Sequence, residues 1–221
     1  KPLNPAPLVS VAIACSGASR AAVRSTLEAL GKQTYANFEV CVVSELAQAG
    51  LTDYEGIPKF RLVLFNGTAH EQLKAAEKML NGAYFLQLLP GDLPAPDALH
   101  MLVLQTHANP EAEVVFADED SVIDGIRQNP IFKPDYGRDT LRSFNSIGRP
   151  MLVSKRVHTA VGGFRGSTPA ELWAYCIDCA SAAKQVIHIA RIGLTVIRDC
   201  DGSEIPCTDI LKREFNSLYP G

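Results

Sequence analysis

Apolar and polar positions follow two rhythms along the chain, and together they divide it into elements. Runs that are apolar almost throughout, at Val9–Cys15, Phe38–Val43, Phe60–Phe65, Tyr84–Leu89 and Val114–Ala117, predict strands. Unbroken apolar runs of this kind suit parallel strands covered on both faces. Between them, apolar residues recur at about 3.6-residue spacing. Ala22, Val23, Leu27 and Leu30 mark one face of a helix from Ser19 to Leu30, stopped by Gly31. Glu71–Leu80 predicts a second helix, ending at Asn81-Gly82, and Pro96–His107 a third. Asp97 falls in the first turn of that third helix, where the dipole favours a carboxylate.

Strand–helix alternation over the first half of the chain implies an α/β protein with a mostly parallel central sheet, right-handed crossovers and flanking helices. The rhythm breaks after Asp118. Asp118–Asp139 reads as polar and turn-rich, Met151–Val153 as a strand, and Lys155–Val161 as a short helix ending at Gly162-Gly163. A helix at Ala170–Ala183, a strand at Val186–Ile189 and a terminal helix at Asp209–Leu218 complete the pattern. No internal repeat occurs. Residues 1–8 read as a Pro-rich tail and 9–221 as a single domain, expected to be part of a longer polypeptide.

Composition narrows the function classes. With 47% hydrophobic residues in 221, the chain buries a sizeable core and is neither a disordered tail nor a disulfide-stapled mini-protein. A formal net charge of -3 gives no basic excess for nucleic acid or an anionic membrane. The longest apolar runs fall far short of the roughly 20 residues of a transmembrane helix. No leader-like segment precedes the first strand, so a soluble, cytoplasmic protein is expected, at most held at the inner membrane face through partners. Six cysteines include Cys176-x-x-Cys179, with Cys200 and Cys207 downstream. The six residues between Cys200 and Cys207 depart from zinc-site spacing, so reduced thiols are expected.

In parallel sheets ligands bind beyond the carboxyl ends of the strands. That directs attention to Ser16–Ser19, Ser44-Glu45, Phe65–Thr68, Leu89–Asp92 and Asp118–Asp120. No Gly-x-Gly-x-x-Gly follows the first strand and no Gly-Lys-Ser/Thr occurs, which disfavours a dinucleotide cofactor or a P-loop. Asp118-Glu119-Asp120 is the sharpest polar feature. Three adjacent acids need a neutralising cation, either a hard divalent metal or the nearby Arg127 or Lys133. A solvated acidic turn is the plainer alternative. Arg149 and Lys155 are candidates for a phosphate and equally ordinary surface residues. Trp173 and His188 read as core positions.

Several segments carry a resemblance. Pro7-Leu8-Val9-Ser10-Val11-Ala12-Ile13, Leu27-Glu28-Ala29-Leu30 and Gln33-Thr34-Tyr35-Ala36-Asn37-Phe38-Glu39-Val40 resemble the opening of family 2 glycosyltransferases. Gly82-Ala83-Tyr84 and Leu93-Pro94-Ala95-Pro96-Asp97-Ala98-Leu99 resemble the segments that flank that family's metal motif. Phe132-Lys133-Pro134-Asp135-Tyr136 and Val161-Gly162-Gly163-Phe164-Arg165 are similar to its bacterial branch that builds O-antigens and other surface polysaccharides. The resemblance implies the GT-A fold. It also implies transfer of a sugar from a nucleotide diphosphate to an acceptor hydroxyl, with a carboxylate base and Mg²⁺ or Mn²⁺ at the diphosphate.

Carried over by position, the resemblance sets Ser44, with Glu45 beside it, where the family has an Asp for the donor base. It sets Leu89-Pro90-Gly91 against the Asp-x-Asp metal motif, with Asp92 next, and Pro169 at the catalytic base, just before Glu171-Leu172-Trp173. Donor-binding candidates are therefore Ser44, Glu45 and Asp92. Metal candidates are Asp92, Asp118 and Asp120, and Glu171 is the one candidate base. Three readings stay open. One is a catalytically impaired scaffold or binding module that needs no cofactor. Another is an active, inverting transferase using Mg²⁺ or Mn²⁺ with relocated acids. The third is a carbohydrate-binding module. Expected partners are a nucleotide-sugar or glycan acceptor and neighbouring domains or other assembly proteins, with no nucleic acid.

Overall fold

The computed structural model describes residues 6–45 and 57–197. The first half alternates as expected. Its elements are β1 (Val9–Ala14), α1 (Arg20–Leu30), β2 (Phe38–Ser44), β3 (Phe60–Leu64), α2 (Ala69–Glu77) and β4 (Tyr84–Leu88). Then come β5 (Asp92–Pro94), α3 (Ala98–Ala108), β6 (Ala112–Ile123), β7 (Ile126–Ile131) and α4 (Arg138–Ser143). The described part ends with β8 (Met151–Ser154), α5 (Lys155–Ala160), α6 (Pro169–Ala182) and β9 (Gln185–Ile197).

One nine-stranded sheet takes the order β3-β2-β1-β4-β8-β6-β9-β5, with β7 paired to β6. β1 to β4 pair in parallel, as does β6 with β9, while β8, β5 and β7 join antiparallel. On β1, Val9, Val11 and Ile13 face one apolar layer with α1 and α3, while Ala12 and Ala14 face the other with α2, α5 and α6. That two-sided burial is why the strand is apolar at every position but Ser10. Leu27 and Leu30 of α1 are fully buried, each stabilising by about 1.5–3 kcal/mol.

Helix starts are set by short polar side chains. Ser19 accepts from Ala22 N at α1. Thr68 with Glu71, and Thr168 with Glu171, form capping boxes at α2 and α6. Pro169 opens α6, where a missing N–H costs nothing. Asp97 stands at the N-cap of α3 without a capping bond and pairs with Arg191 at 2.7 Å instead.

The second half differs most from expectation at one segment. The stretch 118–139 is not a turn-rich run: β6 continues through Asp118–Ile123, turns at Asp124-Gly125 and returns as β7. Asp124 and Gly125 have φ of 52° and 77°, the left-handed pair of a type I′ hairpin. The acids fit in a strand because cations and N–H groups meet them, and β9 covers that strand in parallel from Asp118 to Val122. For the same reason β9 runs well past the expected Val186–Ile189. Short β5 and α4 were not foreseen. The expected terminal helix, Cys200 and Cys207 lie outside the described residues. No described helix is long and apolar enough to cross a membrane.

Candidate functional site

The carboxyl ends of β1, β2 and β4 open onto a common edge. At β2, Ser44 is buried and its carbonyl accepts from Phe65 N at 2.9 Å. Glu45 is exposed and accepts from Ser16 Oγ at 3.3 Å, so the two strand ends are tied by side chains. Gln72 of α2 reaches the same edge, accepting from Cys15 N at 2.9 Å and donating to Phe65 O at 3.3 Å.

At the end of β4, Leu89-Pro90-Gly91-Asp92 makes a tight turn. Asp92 N donates to Leu89 O at 3.0 Å, and Gly91 has φ 93°. Pro then Gly at the central positions, closed by this bond, is the type II signature. Helix α1 holds the turn from behind, since Gly91 N meets Ala22 O at 3.1 Å and Thr26 Oγ1 at 2.9 Å. Asp92 closes it from within, accepting from Leu89 N at 2.8 Å through Oδ2.

The rest of the Asp92 carboxylate is taken by Arg149. Arg149 Nε donates to Oδ2 at 2.8 Å and Nη2 to Oδ1 at 3.0 Å, a bidentate pair with Asp92 only 1% exposed. Burial pushes the Asp92 carboxyl up, against the pull of Arg149 and Leu89 N. Burial also works against the Arg149 charge, but Asp92 and Glu119 outweigh it and hold the guanidinium above its ordinary value.

Next to this pair stands a second. Lys133 Nζ donates to Glu119 Oε2 at 3.1 Å, Ala117 O at 2.8 Å and Arg149 O at 2.6 Å, so all three ammonium protons are placed. Burial lowers the Lys133 pKa, with Glu119 opposing. Glu119 also accepts from Arg149 N at 3.3 Å. Cys176 of α6 lies against the same group, donating to Gly148 O at 3.8 Å, and burial pushes its thiol to about 12.

The other acids are separately engaged. Asp118 Oδ1 accepts from Lys133 N at 2.9 Å and meets His188 Nε2 at 2.8 Å. Asp120 Oδ2 accepts from Arg127 Nε at 2.8 Å, while its buried Oδ1 has no hydrogen-bond partner among the described residues. Glu171 Oε2 accepts from Ser167 N, Thr168 N and Thr168 Oγ1 at 3.1, 3.0 and 2.9 Å, the work of a helix cap. Asp92, Asp118 and Asp120 do not converge: among the described residues no three His, Cys, Asp or Glu side chains are arranged to hold a metal ion. Of the two phosphate candidates, Arg149 is largely enclosed and Lys155 exposed.

One residue escaped the sequence reading altogether. Gln87 of β4 donates to Gly166 O at 2.7 Å, and its buried Oε1 lacks a partner among the described residues. With Arg149, Leu172 and Cys176 it lines a notch of about 10 Å³, close to the smallest space that holds one water. Its signal was a lone polar residue in an apolar strand. A larger hollow, about 270 Å³, lies at the other end of β4 beside Phe85, where His158 is held by Tyr175 OH at 2.6 Å and Glu77 at 3.3 Å.

No protein-family model matches the chain. An uncharacterized protein, y4gI, of Sinorhizobium fredii is 30% identical over 86% of the chain and 22% of its own length. The O-antigen biosynthesis protein RfbC of Myxococcus xanthus is 27% identical over 86% of the chain and 16% of its own length. The chain thus spans a quarter or less of these curated relatives. Among solved structures, S. aureus TarS 1-349 in complex with UDP-GlcNAc superimposes with TM-score 0.67 at 14% identity, over 86% of this chain and 58% of that one. The mannosyltransferase PcManGT from Pyrobaculum calidifontis, in complex with GDP-Man and Mn²⁺, gives 0.60 at 16% identity, over 94% and 60%. Its strand order, its crossovers and these likenesses show that the chain has the GT-A fold of these glycosyltransferases, the fold that the resemblance to family 2 implies.

Proposed function

We propose that this chain is a module of bacterial surface-polysaccharide assembly, built on a glycosyltransferase fold, impaired in sugar transfer and acting as a scaffold or binding domain. Residues 9–221 would be one domain of a longer polypeptide, with its neighbouring domains as partners. The observation that carries the reading is the end of β4. Where the resemblance places the metal motif there is a Pro-Gly turn, and the one carboxylate beside it is held bidentate by Arg149. Neither Leu89 nor Pro90 has an ionisable group, and the residue at the base position is Pro169. A general base contributes roughly 10²–10⁴-fold to such a reaction. Its loss together with that of a metal's Lewis acidity leaves little catalysis. The O-antigen protein among the relatives supports the setting.

The test is calorimetric titration with UDP-GlcNAc and GDP-mannose, with and without Mn²⁺, alongside a product assay and a glycan-binding screen. Glycan binding without turnover is the expected result. Micromolar, Mn²⁺-dependent donor binding with transfer overturns the reading. The Oδ1 of Asp120, without a hydrogen-bond partner among the described residues, favours a second one, an active transferase whose cation sits at the relocated acids. In that case D120N and E171Q each abolish turnover.

A further inference from the structure

We infer that Arg149 is a resident organic cation occupying the electrostatic place of a divalent ion, so that this cleft neither needs nor takes a metal. The charges point there. Asp92 closes the β4 turn and Glu119 accepts from the Arg149 N–H, and two side chains neutralise these acids: the guanidinium grips both oxygens of Asp92, and Lys133 pairs with Glu119. The two halves are joined, because Lys133 Nζ and Glu119 Oε2 bond to the Arg149 backbone carbonyl and N–H, respectively. A divalent ion entering this group would have to displace a bidentate fork and face a buried ammonium, and Coulomb repulsion in a partly desolvated site is severe. The geometry of the turn excludes the usual remedy, since Gly91 at φ 93° leaves no relaxed position for a ligating side chain.

Part of the guanidinium stays available. Nε and Nη2 hold Asp92, and Arg149 also borders the notch in which Gln87 Oε1 has no partner among the described residues. A small group with an acceptor oxygen and a proton, such as a hydroxyl, satisfies both walls at once. A hydroxyl reaching this place is therefore met by Arg149 and Gln87 rather than by a metal.

The inference holds whether or not the domain transfers sugar, so its test reads the ion itself. Mn²⁺ is titrated into the whole chain and the free aqua ion followed by electron paramagnetic resonance. The free-ion signal should rise as in buffer, and Tm should not respond to EDTA, Mg²⁺ or Mn²⁺. Stoichiometric Mn²⁺ binding by the unaltered chain overturns the inference. In R149Q the carboxylates lose their counter-charge, and Mn²⁺ should raise the variant's Tm by about 5 °C at a hundredfold excess over Kd. A folded R149Q that ignores Mn²⁺ also overturns it. R149K keeps a cation without the fork and should remain indifferent to Mn²⁺. Binding by R149K would show that charge is not what excludes the metal. Failure to bind any nucleotide sugar bears on the proposed function and leaves these readouts unaffected.

Discussion

At the scale of single residues, buried charges carry the most specific consequences. Removing the Arg149 fork leaves Asp92 charged and enclosed, and breaking a buried pair on one side typically costs about 3–5 kcal/mol. R149Q should lose that much in urea unfolding at neutral pH without added metal. Glu39 of β2 is a second such centre. Its carboxylate accepts from Ser10 Oγ at 2.7 Å, Asn81 N at 2.6 Å and Arg61 Nη1 at 2.7 Å. Burial works to raise its pKa, but these bonds prevail and hold it below the ordinary 4.5. A depressed folded pKa means stability is present above 4.5 and lost as pH falls below it. E39Q should cost about 1.5–3 kcal/mol at pH 7 and flatten the acid limb of the stability–pH curve. An unchanged acid limb would show that Glu39 is not a source of that dependence.

At the scale of elements, turns and caps decide what can be restored or removed. Gly91 at φ 93° makes G91D a strained replacement, costing about 1–2 kcal/mol. Reinstating an acid there should lower Tm without creating Mn²⁺ affinity. Glu171 separates structure from chemistry. As a capping-box acid it tolerates Gln, so E171Q should be nearly neutral in stability, while E171A loses about 1 kcal/mol in thermal or urea unfolding. The first half of the fold was legible because two-sided burial makes β1, β2 and β4 largely apolar runs, and N-caps such as Ser19 mark helix starts. The hairpin of β6 and β7 was not, since buried Asp118 and Asp120 look like solvent-facing polar residues when their partners lie far along the chain. His188, 70 positions from Asp118, is such a partner. Asp124-Gly125, a hairpin signal flanked by Ile123 and Ile126, was the clue available. Arg149 was hidden for the same reason: its acid is 57 residues away, and one sequence does not pair distant charges.

Across the whole molecule, the pattern of buried thiols sets the alkaline limit. Burial pushes Cys15 and Cys176 from an ordinary 9.0 to about 12, and Cys41 to about 11. The folded state keeps these protons while the unfolded chain releases them near 9, so stability falls as pH rises above that value. Lys133, lowered by burial, contributes with the opposite sign as pH approaches 10.5, but it is one group against four described thiols, since burial raises Cys179 as well. Denaturation midpoints should therefore decline between pH 9 and about 11, and C41A should lessen the decline. A flat profile would contradict the burial of these thiols.

Trp173 is the sole tryptophan of the chain, 2% exposed on α6, and its indole N–H donates to Leu141 O of α4 at 2.6 Å. Intrinsic fluorescence is therefore the report of one position, four residues beyond Pro169 on the helix that carries Glu171. Emission should be blue-shifted in the native protein and move red when α4 and α6 part. A ligand settling near the start of α6 gains an optical readout that requires no dye and no engineered label.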